Sequence, residues 1–189
     1  PEAALRILGV ADDGPSAVNL KRLAQRGYPF LGSIEAAFGS HPGAASIIAI
    51  GSPGVRARIA SALRRRGVAT ASVRHPSAVV GSQCQWGEGS VVCAGVLVST
   101  NVSIGDYAHL NPGSVIGHDA VLSEFVSVNP NATVSGDCTV ESEVLIGAAS
   151  VILQGLKVGS ESVVGAAACV TKSVEPRSVV VGVPARKME

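Results

Sequence analysis

The chain has 189 residues, enough for one large or two small domains. A formal net charge of +1 and 3% aromatic residues exclude the basic, aromatic-studded surface of a nucleic-acid binder. Mean hydropathy is +0.38, yet no run reaches the roughly 18 apolar residues of a spanning helix.

Residues 1–75 have the texture of a small α/β domain. Leu5 to Val10 reads as a strand closed by the turn Ala11-Asp12-Asp13-Gly14-Pro15. Val18 to Arg26 reads as a helix stopped at Gly27, and Ser33 as the cap of a second helix through Phe38. Ser46 to Ile50 is a continuous apolar strand. Ser52 then caps a third helix with Pro53 at its first position, Gly67 as its stop and Val55, Ile59 and Leu63 as its inner face. Val68 to Val73 is a further strand. The alternation predicts a small parallel sheet of truncated Rossmann-like type. Ligands of such sheets sit beyond the carboxyl ends of the strands, which points to Asp12, Asp13, Gly51 and Ser52. Turn chemistry alone would also account for the Asp pair.

From residue 76 the pattern changes to a strict period of six. Val80, Trp86, Val92, Val98, Ile104, Leu110, Ile116, Leu122, Val128, Val134, Val140, Ile146, Ile152, Val158, Val164 and Val170 share one place. Small or apolar residues such as Ala108, Ala120, Ala132 and Val144 share the place four further on. No Asp, Glu, Lys or Arg in the stretch falls in either. Helices repeat at 3.6 and strands at 2, so the period predicts hexapeptide coils, three short strands to each triangular turn of a left-handed parallel β-helix. The beat fails after Val170. Val179 to Val183 reads as a last strand before a short basic tail at Arg186 and Lys187.

Four cysteines make no CxxC pair, and Cys84 and Cys138 fall on the inward place, where a thiol acts as a small hydrophobe. Reduced cysteines and no recognisable leader point to a cytoplasmic, soluble protein. Within the coils His118 stands apart from the aliphatic column, next to Asp119. An imidazole titrates in the range needed to take a proton from a nucleophile near neutral pH, and the carboxylate would orient it. A metal site is not expected: His109 and His118 are nine apart, half a coil, with no third imidazole at the next step.

Asn111-Pro112, Ile116-Gly117-His118-Asp119, Glu124-Phe125 and Val181-Gly182-Val183-Pro184-Ala185-Arg186 together resemble the bacterial sugar O-/N-acyltransferases. These include the sialic acid O-acetyltransferases and the N-acetyltransferases of nucleotide-linked 4-amino sugars. The resemblance implies a homotrimer with active sites between subunits and acetyl-CoA as donor. It implies a nucleotide-sugar acceptor on the N-terminal domain (1–75) and catalysis on the β-helix domain (76–189). It makes His118 the general base with Asp119 beside it and Asn111 a substrate contact. Gly136, Ala148 and Ala166 would line the acetyl and pantetheine portions, with Lys172, Arg186 and Lys187 as phosphate contacts. Ser127 stands where many relatives carry a second histidine near the thioester. The family also opens with a strand and a glycine-rich loop, whereas this chain begins at what reads as the following strand.

The expected activity is acetyl transfer from acetyl-CoA to the amino group of a nucleotide-linked sugar, by direct attack without an acyl-enzyme. O-acetylation of a sugar hydroxyl and a non-catalytic trimeric scaffold are the alternatives.

Overall fold

A computed structural model describes residues 5–188. They divide between Ala44 and Ala45 into two compact units. Three helices appear where capping chemistry places them: α1 Ala17–Gln25, α2 Ile34–Ser40 and α3 Pro53–Arg65. Ser16 and Ser33 accept hydrogen bonds from the Asn19 and Ala36 amides. Gly27 and Gly67 adopt the left-handed conformation that ends α1 and α3.

The expected strands upstream of the coils are shorter than the sequence suggests. In the first unit Leu5 to Val10 narrows to one parallel bridge, Val10 with Phe30. In the second unit Ser46 to Ile50 narrows to a bridge from Ser46 to Thr70. Apolar runs supply the side chains of a strand, but a strand also needs a partner along its length. Beyond these bridges Leu5 and Ile7 stay exposed.

The coils match the six-residue period closely. One face of the stack runs through Val73–Arg74, Val91–Val92, His109–Leu110, Ser127–Val128, Leu145–Ile146 and Val163–Val164 to Val179–Val181. A second carries Val79–Val80, Leu97–Val98, Val115–Ile116, Thr133–Val134, Val151–Ile152 and Cys169–Val170. The third runs from Gln85–Trp86 to Lys157–Val158. From Val73 to Val170 neighbouring strands are parallel and 18 residues out of step, as in Ser127 with Leu145, and Val163 pairs with Val179 at a step of 16. The stack has about six turns, since Val73 and Val179 extend it beyond the strict repeat. Arg186–Lys187 closes it as an antiparallel strand on Val181.

The two apolar places form the core. Leu110, Ile116, Val128, Ala132, Val134 and Ile146 are all fully buried, each large side chain stabilising by roughly 1.5–3 kcal/mol. The corners have their own periodicity: every sixth residue from Gln83 to Ala167 has φ of 55–71°. That conformation is least costly for Gly, Asn and Asp, which fill it at Gly95, Asn101, Gly113, Asp119, Asn131 and Asp137. Helix α3 packs in the same unit with Leu63 buried as its aliphatic spacing predicts, but with the rest of its inner face turned away from Val55 and Ile59. Pro53, Arg56, Ala60 and Leu63 are buried, while Val55 and Ile59 are only half-covered. The turn of the helix follows from Arg56, whose guanidinium donates to carbonyls of Tyr107, Ile50 and Phe125. No helix among the described residues is long and apolar enough to cross a membrane.

Candidate active site

The corner between the second and third faces builds the site. Ile116 and Ala120, both fully buried, pin the ends of Gly117-His118-Asp119. A Cβ at Gly117 would lie 2.4 Å from the Gly136 nitrogen, so glycine is needed for this corner to stack on the next. Asp119 takes the left-handed place with φ 60°. From there its Oδ2 meets His118 Nδ1 at 2.7 Å. Its Oδ1 accepts from Asn101 Nδ2 at 2.5 Å. The imidazole lies against Gly136 of the next coil, where an added Cβ would be 2.6 Å from Nε2.

With Nδ1–H given to the carboxylate, the neutral tautomer leaves the Nε2 lone pair free to accept a proton. The hydrogen bond to Asp119 raises the histidine's proton affinity above its ordinary value, reinforced by the charges of Asp119 and Asp137. Asp119 is held below the usual carboxylate range, first by Asn101 and then by His118. Both side chains are exposed, so the pair is a basic imidazole open to a substrate. Asp137 brings a third donor atom within 4.8 Å of the other two, although two carboxylates and an imidazole at the surface commonly occur without a metal ion.

The other expected site residues fall on distinct parts of the stack. Gly136 and Lys172 lie on the His118 corner, one and three coils further on, so Lys172 is roughly 14 Å along the stack at ~4.8 Å per coil. Asn111, Ala148 and Ala166 lie instead on the corner between the first and second faces. Asn111 donates to Val128 O and Asn129 Oδ1. Arg186 is exposed in the closing strand.

Ser127 is a correction. Its side chain is fully buried on the first face, donating to Gly51 O at 2.9 Å and accepting from Arg56 at 3.0 Å. A hydroxyl spent inside this network has no route to a thioester at the surface. The Gly51 carbonyl is spent on the same network, and Ser52 is an exposed helix cap that makes no side-chain cap bond. In the first unit Asp12 accepts from the Gly14 amide and Asp13 from the Ile34 amide, the turn chemistry open to them from the start. Asp12 also lines an open cleft of about 300 Å³ with Arg22, Arg26 and Phe30.

Sequence reasoning passed over Asn101 and Asp137. The signal that finds them is the coil length itself: both are 18 residues from Asp119, at the same place on the same corner.

No protein-family model and no curated protein matches the chain, but solved structures do. WeeI from Acinetobacter baumannii AYE is 33% identical, with a TM-score of 0.86 over 95% of this chain and 85% of that one. A variant of perosamine N-acetyltransferase from Caulobacter crescentus, in complex with CoA and GDP-perosamine, is 28% identical. It aligns over 87% of this chain and 79% of its own with a TM-score of 0.84. The acetyltransferase domain of PglB from Neisseria gonorrhoeae FA1090, in complex with acetyl coenzyme A, is 26% identical over 96% and 84%, with a TM-score of 0.83. The chain belongs to the bacterial nucleotide-amino-sugar acyltransferases built on left-handed hexapeptide-repeat β-helices. It is accordingly an enzyme, an acetyl-CoA-dependent sugar acetyltransferase.

Proposed function

We propose that the protein transfers the acetyl group of acetyl-CoA to the amino group of a nucleotide-linked amino sugar, with His118 as general base. The observation that carries this reading is the His118–Asp119 pair, hydrogen-bonded through Nδ1 and lying with Nε2 over Gly136. The acceptor nitrogen attacks the thioester carbonyl as His118 Nε2 takes its proton. The tetrahedral oxyanion is met by the backbone N–H of Gly136, beside the base. Collapse expels the CoA sulfur, which leaves as the thiol with the proton returned by the imidazolium. Direct transfer needs two substrates in attacking geometry and no covalent acyl-enzyme.

The site is shared between subunits of a homotrimer. Asn111, Ala148 and Ala166 occupy one corner of the prism and His118, Gly136 and Lys172 another, with the whole second face between them. A neighbouring copy that covers this face brings its own corner to His118. The outward side of that face suits burial: Val79, Leu97 and Val115 stack at 18-residue steps, Thr133 and Val151 continue the row, and Val79 and Leu97 are well exposed. Ala148 and Ala166 then line the pantetheine arm, and Lys172 and Arg186 meet phosphates.

Residues 1–75 act as a Rossmann-like nucleotide-sugar-binding domain, with the Asp12 cleft as its cavity. Acetyl-CoA and activated sugars as substrates place the work in the cytoplasm.

The test is thiol release from acetyl-CoA with UDP-, GDP- and dTDP-linked amino sugars and with sialic acid. Release should require one nucleotide-linked amine and fall by about 10²–10⁴ in His118→Ala. Release that His118→Ala leaves unchanged, or that only a sugar hydroxyl supports, refutes the reading.

A further inference from the structure

One coil before Asp119, at the same place on the same corner, sits Asn101. The two residues share the left-handed backbone conformation, at φ 59° and 60°. Asn101 is fixed from behind, because its backbone amide donates to Ser82 O at 3.0 Å. Its side-chain amide reaches one oxygen of the Asp119 carboxylate, and His118 Nδ1 holds the other. Each carboxylate oxygen thus has one partner, so the carboxylate cannot turn without breaking a bond on one side. An exposed Asp without such a clamp samples several rotamers and leaves its histidine unheld for part of the time.

The amide also has the right charge. A carboxylate at this place would face Asp119 oxygen to oxygen, and a lysine would draw Asp119 away from the imidazole. The neutral N–H donor satisfies the second oxygen and leaves the negative charge to His118. The charged groups acting on His118 are Asp119 and, from the next coil, Asp137.

We propose that Asn101 is a positioning residue for acetyl transfer, clamping the Asp119 carboxylate so that it holds the His118 ring with Nε2 over Gly136. The proposal rests on His118 as general base. Losing the clamp lets Asp119 leave the imidazole, which lowers the proton affinity of His118 toward that of a free histidine. The acid limb of the pH–rate profile then moves to lower pH, and the plateau falls because the base is weaker and less well placed.

The variant that isolates this role is Asn101→Gly, because glycine accepts φ 59° without strain and removes only the amide. Ring titration of His118 by NMR, with the resonance assigned through His118→Ala, reads the clamp without reference to activity. The His118 midpoint should fall in Asn101→Gly and in Asp119→Asn, and no further in the double variant. In Asn101→Gly kcat should drop about tenfold, with KM for both substrates within about twofold of wild type. A His118 midpoint or a kcat that does not move in Asn101→Gly overturns the proposal, while the His118→Ala result still stands for the base. Undiminished transfer by His118→Ala removes the general-base reading itself and the proposal with it.

Discussion

Two histidines nine residues apart show how the place of a residue in the hexad decides its chemistry. His109 stands on the first face of the stack and is buried, with no hydrogen-bond partner at Nε2 among the described residues. Burial first, and the Arg56 charge second, push its pKa down to about 4. His118 stands on a corner, exposed, with a carboxylate on Nδ1 that raises its proton affinity. One imidazole is kept neutral as part of the interior and the other is kept basic at the surface. The face position of His109 is covered, whereas the corner that carries His118 is open to substrate.

The contrast breaks most severely if the cover over the first face is removed. Arg56 is fully buried and spreads its donors over backbone carbonyls of α3's approach and of two coil corners, and over Ser127. Burial lowers its pKa to about 10, still well above neutrality. Arg56→Ala leaves several buried acceptors without donors and opens a cavity. The expected loss is about 4 kcal/mol, a fall in Tm of roughly 10 °C, measured by thermal unfolding. In the same variant the His109 ring should titrate closer to 6.5 than to 4, because both causes of its depressed pKa are weakened.

The buried histidine has a smaller, pH-dependent consequence. An unfolded chain binds a proton at His109 near pH 6.5, whereas the folded one does so only near 4. The unfolded state therefore holds more protons between these values, and stability falls as pH drops through that window. Above about pH 6.5 the contribution is complete; below about 4 it is fully lost. The whole effect is about 3–4 kcal/mol at most. Urea midpoints of wild type and His109→Gln, compared from pH 7.5 to 4, should converge as pH falls. Parallel curves would mean that His109 takes up its proton as readily in the folded protein as in the unfolded one.

The coils were legible because their period is one that no helix or simple strand shares, and the aliphatic column from Val92 to Val170 is buried as the period requires. His118 could be singled out because it stands off that column with an acidic neighbour, Asp119, beside it. Ser127 was misplaced because resemblance fixes a position in the repeat without saying that α3 covers it. Most of the inner face of α3 was misplaced for a related reason: Arg56 reads as a solvated charge until the carbonyls that receive it are known. In the region before the coils, apolar runs at 5–10 and 46–50 announced strands, but pairing partners lie far away in sequence and are invisible in the run itself. Asn101 and Asp137 needed only the 18-residue step from Asp119, which is a relation between coils and not within one.

The contrast is sharpened by the smallest change, one methyl group under the exposed histidine. Gly136 has no left-handed φ, so its backbone would accept alanine without strain. The equivalent places on the same corner in other coils carry a Cβ already, at Thr100, Gln154 and Lys172. The coil therefore does not demand glycine here, and the ring does: a Cβ would lie 2.6 Å from His118 Nε2 and 2.7 Å from Cε1. Because His118 is exposed it can swing aside, so Gly136→Ala should leave Tm within about 2 °C of wild type. The displaced ring loses Asp119 and its aim, and kcat should fall at least about tenfold, with the His118 midpoint moving down toward an ordinary histidine. A fully active Gly136→Ala would mean that the working enzyme does not hold its base over this glycine.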